Sequence, residues 1–243
     1  MQSGPLKIGT RGSPLALAQA HEVRDKLIAA HDLDPADVEV VVITTTGDKV
    51  QDRPLAEIGG KGLFTKEIED GLYDGGLQMA VHSMKDMPAE LPSGLIIDCL
   101  LPREDPRDGF MSPHFQSISD MPAGTVVGTS SVRRQAQLRR LRPDVEVVQF
   151  RGNVQTRLRK LDEGVAAATF LACAGLNRLG QSDLITAPIE PEEMLNVAES
   201  TSIAAEPNSA EEVSSFEALK ILIPASRILR SVNVAIPPTA FTA

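Results

Sequence analysis

One pattern occurs twice in this chain and restricts the folds open to it. An apolar stretch ends in Gly-Thr, a helical segment follows, and the unit closes on Asp-Val-Glu-Val-Val. The first copy runs from Ile8-Gly9-Thr10 to Asp37–Val41, the second from Val126-Val127-Gly128-Thr129 to Asp144–Val148. Strands alternating with helices define α/β architecture. The recurrence is read either as chance likeness between common α/β segments or as two similar α/β domains facing one cleft. A length of 243 residues accommodates two domains of ordinary size.

Local signals fill in both copies. In the first, Ser13 suits an N-cap and Pro14 the first helical position, and Leu17, Ala20, Val23 and Leu27 recur at helical spacing. Val38–Thr45 is β-branched and bounded by Gly47-Asp48, which predicts a strand. Gly59-Gly60-Lys61-Gly62 is a flexible loop without the spacing of a Walker A motif. A helix is predicted over Phe64–Tyr73, and strands over Gln78–Val81 and Leu95–Leu101. Arg103–Asp108 is a polar crossover and a candidate domain boundary. In the second copy, Val126–Ser131 runs into a helix over Arg133–Leu141 that stops before Pro143.

Charge is unevenly spread. The total is −9, yet between Arg133 and Lys160 nine cations face only Asp144 and Glu146, a local +7. Beyond Arg178 nine acids precede the next cation, Lys220, and no acid follows Glu217. An acidic total argues against a nucleic-acid partner. The basic stretch has Phe150 as its one aromatic, a poor stacking platform. No apolar run reaches the roughly 20 residues of a membrane span, and Met1–Lys7 is polar, so neither a membrane nor a signal peptide is expected. Cys99 and Cys173 make neither a disulfide framework nor a zinc cluster. His21 and His82 lack a second ligand at metal spacing, so no metal is expected. The expected compartment is the cytoplasm.

Several residue groups carry chemistry. Ser13 in one half, and Thr129, Ser130 and Ser131 in the other, stand between a strand and a helix. They serve either as ordinary N-caps or as part of an anion site at the helix N-terminus. Arg133 and Arg134 follow in the first turn, where cations oppose the helix dipole. They point to a bound anion or belong to a solvated basic face, as do Arg151 and Arg157 near Gly152; Arg139, Arg140 and Arg142 are assigned to the solvated face. Arginine forks match carboxylates in bidentate geometry. Asp86 beside Lys85 is either a general acid or stabilising carboxylate, or half of a surface ion pair.

These segments together resemble the porphobilinogen deaminase (hydroxymethylbilane synthase) family. The resemblance rests on Gly9–Leu17 (GTRGSPLAL), Ile58–Phe64 (IGGKGLF), Ala80–Pro88 (AVHSMKDMP), Arg103–Gly109 (REDPRDG), Gly128–Leu138 (GTSSVRRQAQL), Arg151–Leu158 (RGNVQTRL) and Ala174–Gly180 (AGLNRLG). It covers about residues 7–194. It implies an α/β fold of two similar periplasmic-binding-protein-like (type II) domains around a cleft. It implies a transferase that condenses four porphobilinogen units head to tail, releasing ammonia. The growing chain is held on a dipyrromethane cofactor, attached by a thioether to a cysteine of a third domain. By resemblance Asp86 is the catalytic carboxylate, stabilising cationic pyrrole and azafulvene species and assisting loss of the amine. Arg11, Ser13, Lys61, Ser83, Lys85, Thr129, Ser130, Ser131, Arg133, Arg134, Arg151, Arg157 and Arg178 match positions that hold cofactor and substrate. Every pyrrole carries an acetate and a propionate, so the +7 segment meets a polyanion. A monomer is expected.

After Met194 the likeness stops. The Gln-Gly-bearing segment that returns to the first domain and the usual third α+β domain are not recognisable, and residues 195–243 contain no Cys. The expected organisation is an α/β domain over 1–102, a second over 103–194, and a divergent tail over 195–243, a frameshifted or truncated remnant that is partly packed on domain 1 or disordered. Without the returning segment, the first sheet is expected to keep an unpaired strand edge. Cys173, inside an apolar run, belongs to the core, so the attachment cysteine is not identified. The alternative function is a non-catalytic homologue that binds carboxylate-rich pyrrole ligands.

Overall fold

The computed structural model describes residues 4–49, 62–88, 90–195 and 219–224, with backbone alone for 98 and 219–224. The chain divides into two compact units, Met1–Arg103 with Ala218–Ala243, and Glu104–Glu217.

In the first unit, β1 (Leu6–Arg11), α1 (Pro14–His31), β2 (Val38–Ile43), α2 (Thr46–Lys49), α3 (Lys66–Tyr73), β3 (Met79–Ser83) and β4 (Leu95–Leu100) follow in order. Strand β10 (Leu219–Pro224) joins them from the far end of the chain. The sheet runs β2-β1-β3-β10-β4. Strands β1, β2 and β3 are parallel, and β10 lies antiparallel to both β3 and β4. The edge of β3 expected to stay open is therefore closed. Leu219–Pro224 shares no recognisable motif with a returning strand, but its run of apolar residues meets what a central strand requires. Helix α1 covers one face of the sheet through Ala20, Val23 and Leu27 against Ile8, Val38, Met79 and Val81. Helix α3 covers the other through Ile68 and Leu72 against Leu77, Ala80 and Leu95.

The second unit repeats this plan with β5 (Asp108–Met111), β6 (Val126–Gly128), α4 (Val132–Leu141), β7 (Glu146–Val148), α5 (Val154–Asp162), β8 (Ala168–Ala172), α6 (Cys173–Arg178) and β9 (Ala187–Pro188). Its order is β7-β6-β8-β5-β9, with β5 antiparallel to β8 and β9. Phe110, Val127, Leu138 and Phe170 fill one side of the sheet, and Phe150, Leu161, Leu171 and Leu176 the other.

The twofold sequence pattern is thus a structural repeat. Gly9 sits beside Ala80 in one sheet, and Gly128 beside Thr169 in the other. Both glycines make room for a large neighbour. A Cβ on Gly9 would run into Leu77, and one on Gly128 into the ring of Phe150. Parallel strands also bring their C-terminal ends to one edge, the usual ligand edge of open α/β sheets. Arg11 and Ser83 end β1 and β3 at that edge. In the second unit Gly128 and Ala172 end β6 and β8 there, and Asp108 reaches the same edge because its strand runs the other way, pairing with Ala172.

Candidate functional site

At the strand ends of the first unit, Arg11 is the organising residue. Its Nε donates to both Asp48 oxygens at 3.2 and 3.3 Å, and Nη2 also bonds Asp48. Its guanidinium lies 4.1 Å from the centre of the Phe64 ring, within cation–π range. That leaves Nη1 facing Asp86, 3.8 Å from Oδ2. Asp48 is held in turn by Thr45, whose Oγ1 and N donate at 2.7 and 3.3 Å. Burial pushes the Asp48 carboxyl up, but hydrogen bonds from Arg11 and Thr45 and the Arg11 charge bring it below its ordinary value. Asp86 closes a 3-10 turn, Met84–Asp86, directly after β3. Among the described residues, the cation that faces it is Arg11, rather than its sequence neighbour Lys85.

Two buried side chains support this edge. Gln19, 5% exposed on α1, exchanges hydrogen bonds with Ser83 at 2.9 and 3.1 Å. His82 is buried with Nε2 unpartnered. Burial, and then the Arg11 charge, push it down to about 4, so it is a neutral imidazole at physiological pH. Ser13 caps α1, its Oγ accepting from Ala16 N at 3.3 Å. Lys61 lies outside the described residues.

The second unit gathers arginines. Asp108, 3% exposed, accepts Arg134 Nη2 on Oδ1 and Arg133 Nη2 on Oδ2, both at 2.6 Å. The cations in the first turn of α4 thus meet a carboxylate of the protein itself. Burial pushes the Asp108 carboxyl up, and Arg134 followed by Arg133, through charge and hydrogen bonds, pull it below its usual range. Arg134 Nη1 also bonds Phe170 O at 3.1 Å, while its buried Nε has no partner. Arg157 is pushed down to about 10, first by burial and then by the charges of Arg134 and Arg151. Arg133 and Arg134 thus share the Asp108 carboxylate, and the charges of Arg134 and Arg151 reach Arg157.

Small side chains and caps stand beside these arginines. Ser131 caps α4 at Arg134 N (3.4 Å), and Thr129 Oγ1 accepts from Ser131 N at 3.2 Å. Ser130 Oγ accepts from Phe150 N at 2.9 Å, which ties in the loop leading to Arg151. Ordinary capping accounts for these contacts, and each hydroxyl keeps its own proton to donate. Gly152 stands at φ +120°, a conformation side chains resist, and its carbonyl accepts from Arg157 Nε at 2.9 Å. Arg178 ends α6 half-buried. Arg139 and Arg140 are exposed, as a solvated face requires. Arg142 is not part of that face. It grips Asp144 at 2.9 and 2.7 Å and caps the carbonyl of Ile118 at 2.7 Å, a structural clamp.

Sequence reasoning missed Asp48, Asp108, Gln19 and Phe64 as parts of these edges. Asp48 and Asp108 did carry a signal, since each lies beside a strand terminus in a polar run. Their partners, however, lie 37 and 26 residues away along the chain.

The doubly built α/β framework has the fold of the periplasmic-binding-protein type II class. Solved structures share this fold at low identity. Immunogenic lipoprotein A from Vibrio vulnificus matches with TM-score 0.50 at 12% identity, over 98% of this chain and 95% of its own. A Bacillus subtilis lipoprotein described as methionine-binding matches with TM-score 0.55 at 11% identity, over 100% and 92%. The family model described as porphobilinogen deaminase, dipyromethane cofactor binding domain, matches residues 6–214. Porphobilinogen deaminase from Paracoccus denitrificans is 63% identical over 191 residues, covering 79% of this chain and 61% of that protein. The one from Nitrobacter winogradskyi is 56% identical over 199 residues, covering 82% and 63%. The chain belongs to the porphobilinogen deaminase family, and it spans about six tenths of the length of these relatives. Among the described residues no helix is long and apolar enough to cross a membrane.

Proposed function

We propose that this chain provides the cofactor- and substrate-holding units of a porphobilinogen deaminase. That transferase of tetrapyrrole biosynthesis condenses four porphobilinogen molecules into hydroxymethylbilane and releases ammonia. The observation that carries the proposal is the division of charge between the two ligand edges. One presents Asp86 beside a pinned Arg11. The other gathers Arg134, Arg151 and Arg157 closely enough for burial and mutual repulsion to push Arg157 down. A cationic reacting centre suits the first kind of edge, and carboxylate groups suit the second.

In this scheme Asp86 faces the positive charge that grows on the pyrrole as the amine departs. Arg11, locked by Asp48, keeps the Asp86 carboxylate in place. Arg133, Arg134, Arg151 and Arg157 take the acetate and propionate groups through charge-assisted hydrogen bonds. Thr129, Ser130, Ser131, Ser13, Ser83, Lys61, Lys85 and Arg178 complete the binding set. The dipyrromethane fits the second unit's edge, where like charges and the orphaned Nε of Arg134 call for carboxylates. When bound, it holds the growing pyrrole chain. The substrate is the small molecule porphobilinogen, with neither nucleic acid nor membrane as partner, and the protein acts as a cytoplasmic monomer. The domains are 1–102 and 103–194, and β10 adds its strand to the first sheet from beyond both.

A second reading, a binder without turnover, is favoured by the cysteines. Cys173 is 1% exposed. Burial, followed by Asp105 and Asp108 against Arg107, pushes its thiol up to about 11. Cys99 packs beside the α1 core from β4. Cys173 is therefore not placed as an anchoring thiolate. Purified protein incubated with porphobilinogen decides: ammonia release with bilane formation supports the enzyme. Binding without ammonia leaves the second reading standing, and absence of both outcomes removes the two together. Ehrlich colour on denatured protein reports whether a pyrrole is covalently attached.

A further inference from the structure

Asp108 is buried and touches two of the ligand-edge arginines. Its position is instructive when the two sheets are laid register on register. In the second unit Asp108 pairs with Ala172, the last residue of β8. In the first unit the residue at the same point, opposite Ser83 at the end of β3, is Leu219. The same topology is thus built with an apolar residue at this position, and the repeat does not itself require a carboxylate there.

A carboxylate here reduces the attraction of the edge for anions by one charge. It also buries an ion that needs full compensation. What it supplies is geometry. Each Asp108 oxygen takes one guanidinium, Oδ1 from Arg134 and Oδ2 from Arg133, at 2.6 Å. Arg134 is fixed a second time by Phe170 O at 3.1 Å, and Arg133 Nη1 by Leu195 O. Two long side chains that would otherwise sample many rotamers are held before any ligand arrives, so the ordering cost of binding falls.

We propose that Asp108 is a positioning residue for anion recognition, trading one unit of attraction for two preset guanidinium forks at the ligand edge of the second unit. The identity of the natural ligand rests on the function proposed above; the positioning role does not.

The test compares the native chain with Asp108→Asn by calorimetry, using porphobilinogen and the plain dicarboxylate glutarate as probes. A pure charge effect makes D108N bind glutarate more tightly, since the edge gains one positive charge. Positioning makes it bind roughly tenfold more weakly, the loss of about one charge-assisted contact. Asp108→Glu should recover part of the affinity. Glutarate binding that is unchanged or tighter in folded D108N overturns the proposal, as does a native chain that does not bind glutarate. If glutarate behaves as expected while porphobilinogen is ignored by the native chain, the function proposal fails and this one stands. Should D108N not fold, nitrogen-15 NMR of the ligand-free native chain decides. Separate, slowly exchanging Nη signals for Arg133 and Arg134 support preset forks, and averaged signals overturn them.

Discussion

Arg11 Nη1 stands 3.8 Å from Oδ2 of Asp86, and a second carboxylate makes that approach specific. Asp48 takes the Nε–Nη2 side of the guanidinium and Phe64 lies against its face, so only Nη1 is left to meet Asp86. The fork is fully directed before ligand binds.

Replacing Asp48 with Asn should therefore act on turnover through Arg11. We expect kcat to fall roughly tenfold, about the value of one charge-assisted hydrogen bond, with porphobilinogen binding nearly kept. Steady-state kinetics alongside calorimetry would show the split. A loss of binding with kcat intact would assign Asp48 to ligand contact instead.

Asp86→Asn should separate holding from reacting. Ammonia release is expected to fall roughly 10²-fold or more, the usual range for a lost acid–base or charge-stabilising group. Affinity for porphobilinogen should change little, because the arginine edge belongs to the other unit. Full activity in D86N would remove Asp86 from the catalytic role.

Acid should destabilise the protein in two stages. His82 falls to about 4 when folded against an ordinary 6.5. Between those values the unfolded chain binds a proton that the folded chain refuses, so stability drops as pH falls from about 6.5 towards 4, on the order of 3 kcal/mol in all. Asp48 and Asp108 are lowered on folding. Their contribution is complete above the ordinary value of 3.8 and is lost as pH falls through and below it. Urea unfolding followed by circular dichroism from pH 8 to 3 should show both stages. H82Q should flatten the first and leave the second, and a native profile level from pH 7 to 4.5 would contradict the assignment.

Gly128→Ala should be costly although it adds one methyl group. That group would enter the space of the Phe150 ring, which is fully buried. Overpacking of this kind costs about 1–3 kcal/mol. The urea midpoint should shift accordingly, and a stability equal to the native chain would show that Phe150 can move aside.

Cys173 should resist thiol reagents while the protein is folded. Its thiol is buried and pushed up to about 11, so little thiolate exists near pH 7.5. Mass spectrometry after brief alkylation should find Cys173 unmodified in buffer and modified in urea. Rapid native labelling would place it at a reactive site after all.

Much of the fold was legible because its determinants are local. Ser13 and Ser131 announce helix starts through side chains that reach three residues ahead. The Gly-Thr pairs mark strands crossed closely by Leu77 and Phe150. Asp86, Arg133, Arg134, Arg151 and Arg157 stood out through residue type and neighbourhood. Strand β10 was not legible, because an apolar six-residue run can serve many folds, and its partners β3 and β4 lie far back in the chain. Arg142 was assigned to a solvated face because its charge resembles that of Arg139 and Arg140, although it clamps carbonyls from a distant loop.

By itself the sequence determined the recurring strand-helix-strand pattern and the concentration of positive charge in its second copy, since each depends on residue type and short-range spacing. Only the tertiary structure decided which charges meet. Whether Arg133 and Arg134 wait for an outside anion or already share Asp108, and whether Asp86 answers to Lys85 or to Arg11, depends on which strand ends the sheet order brings to one edge. Coulomb and hydrogen-bond terms act over a few ångströms of space, regardless of distance along the chain.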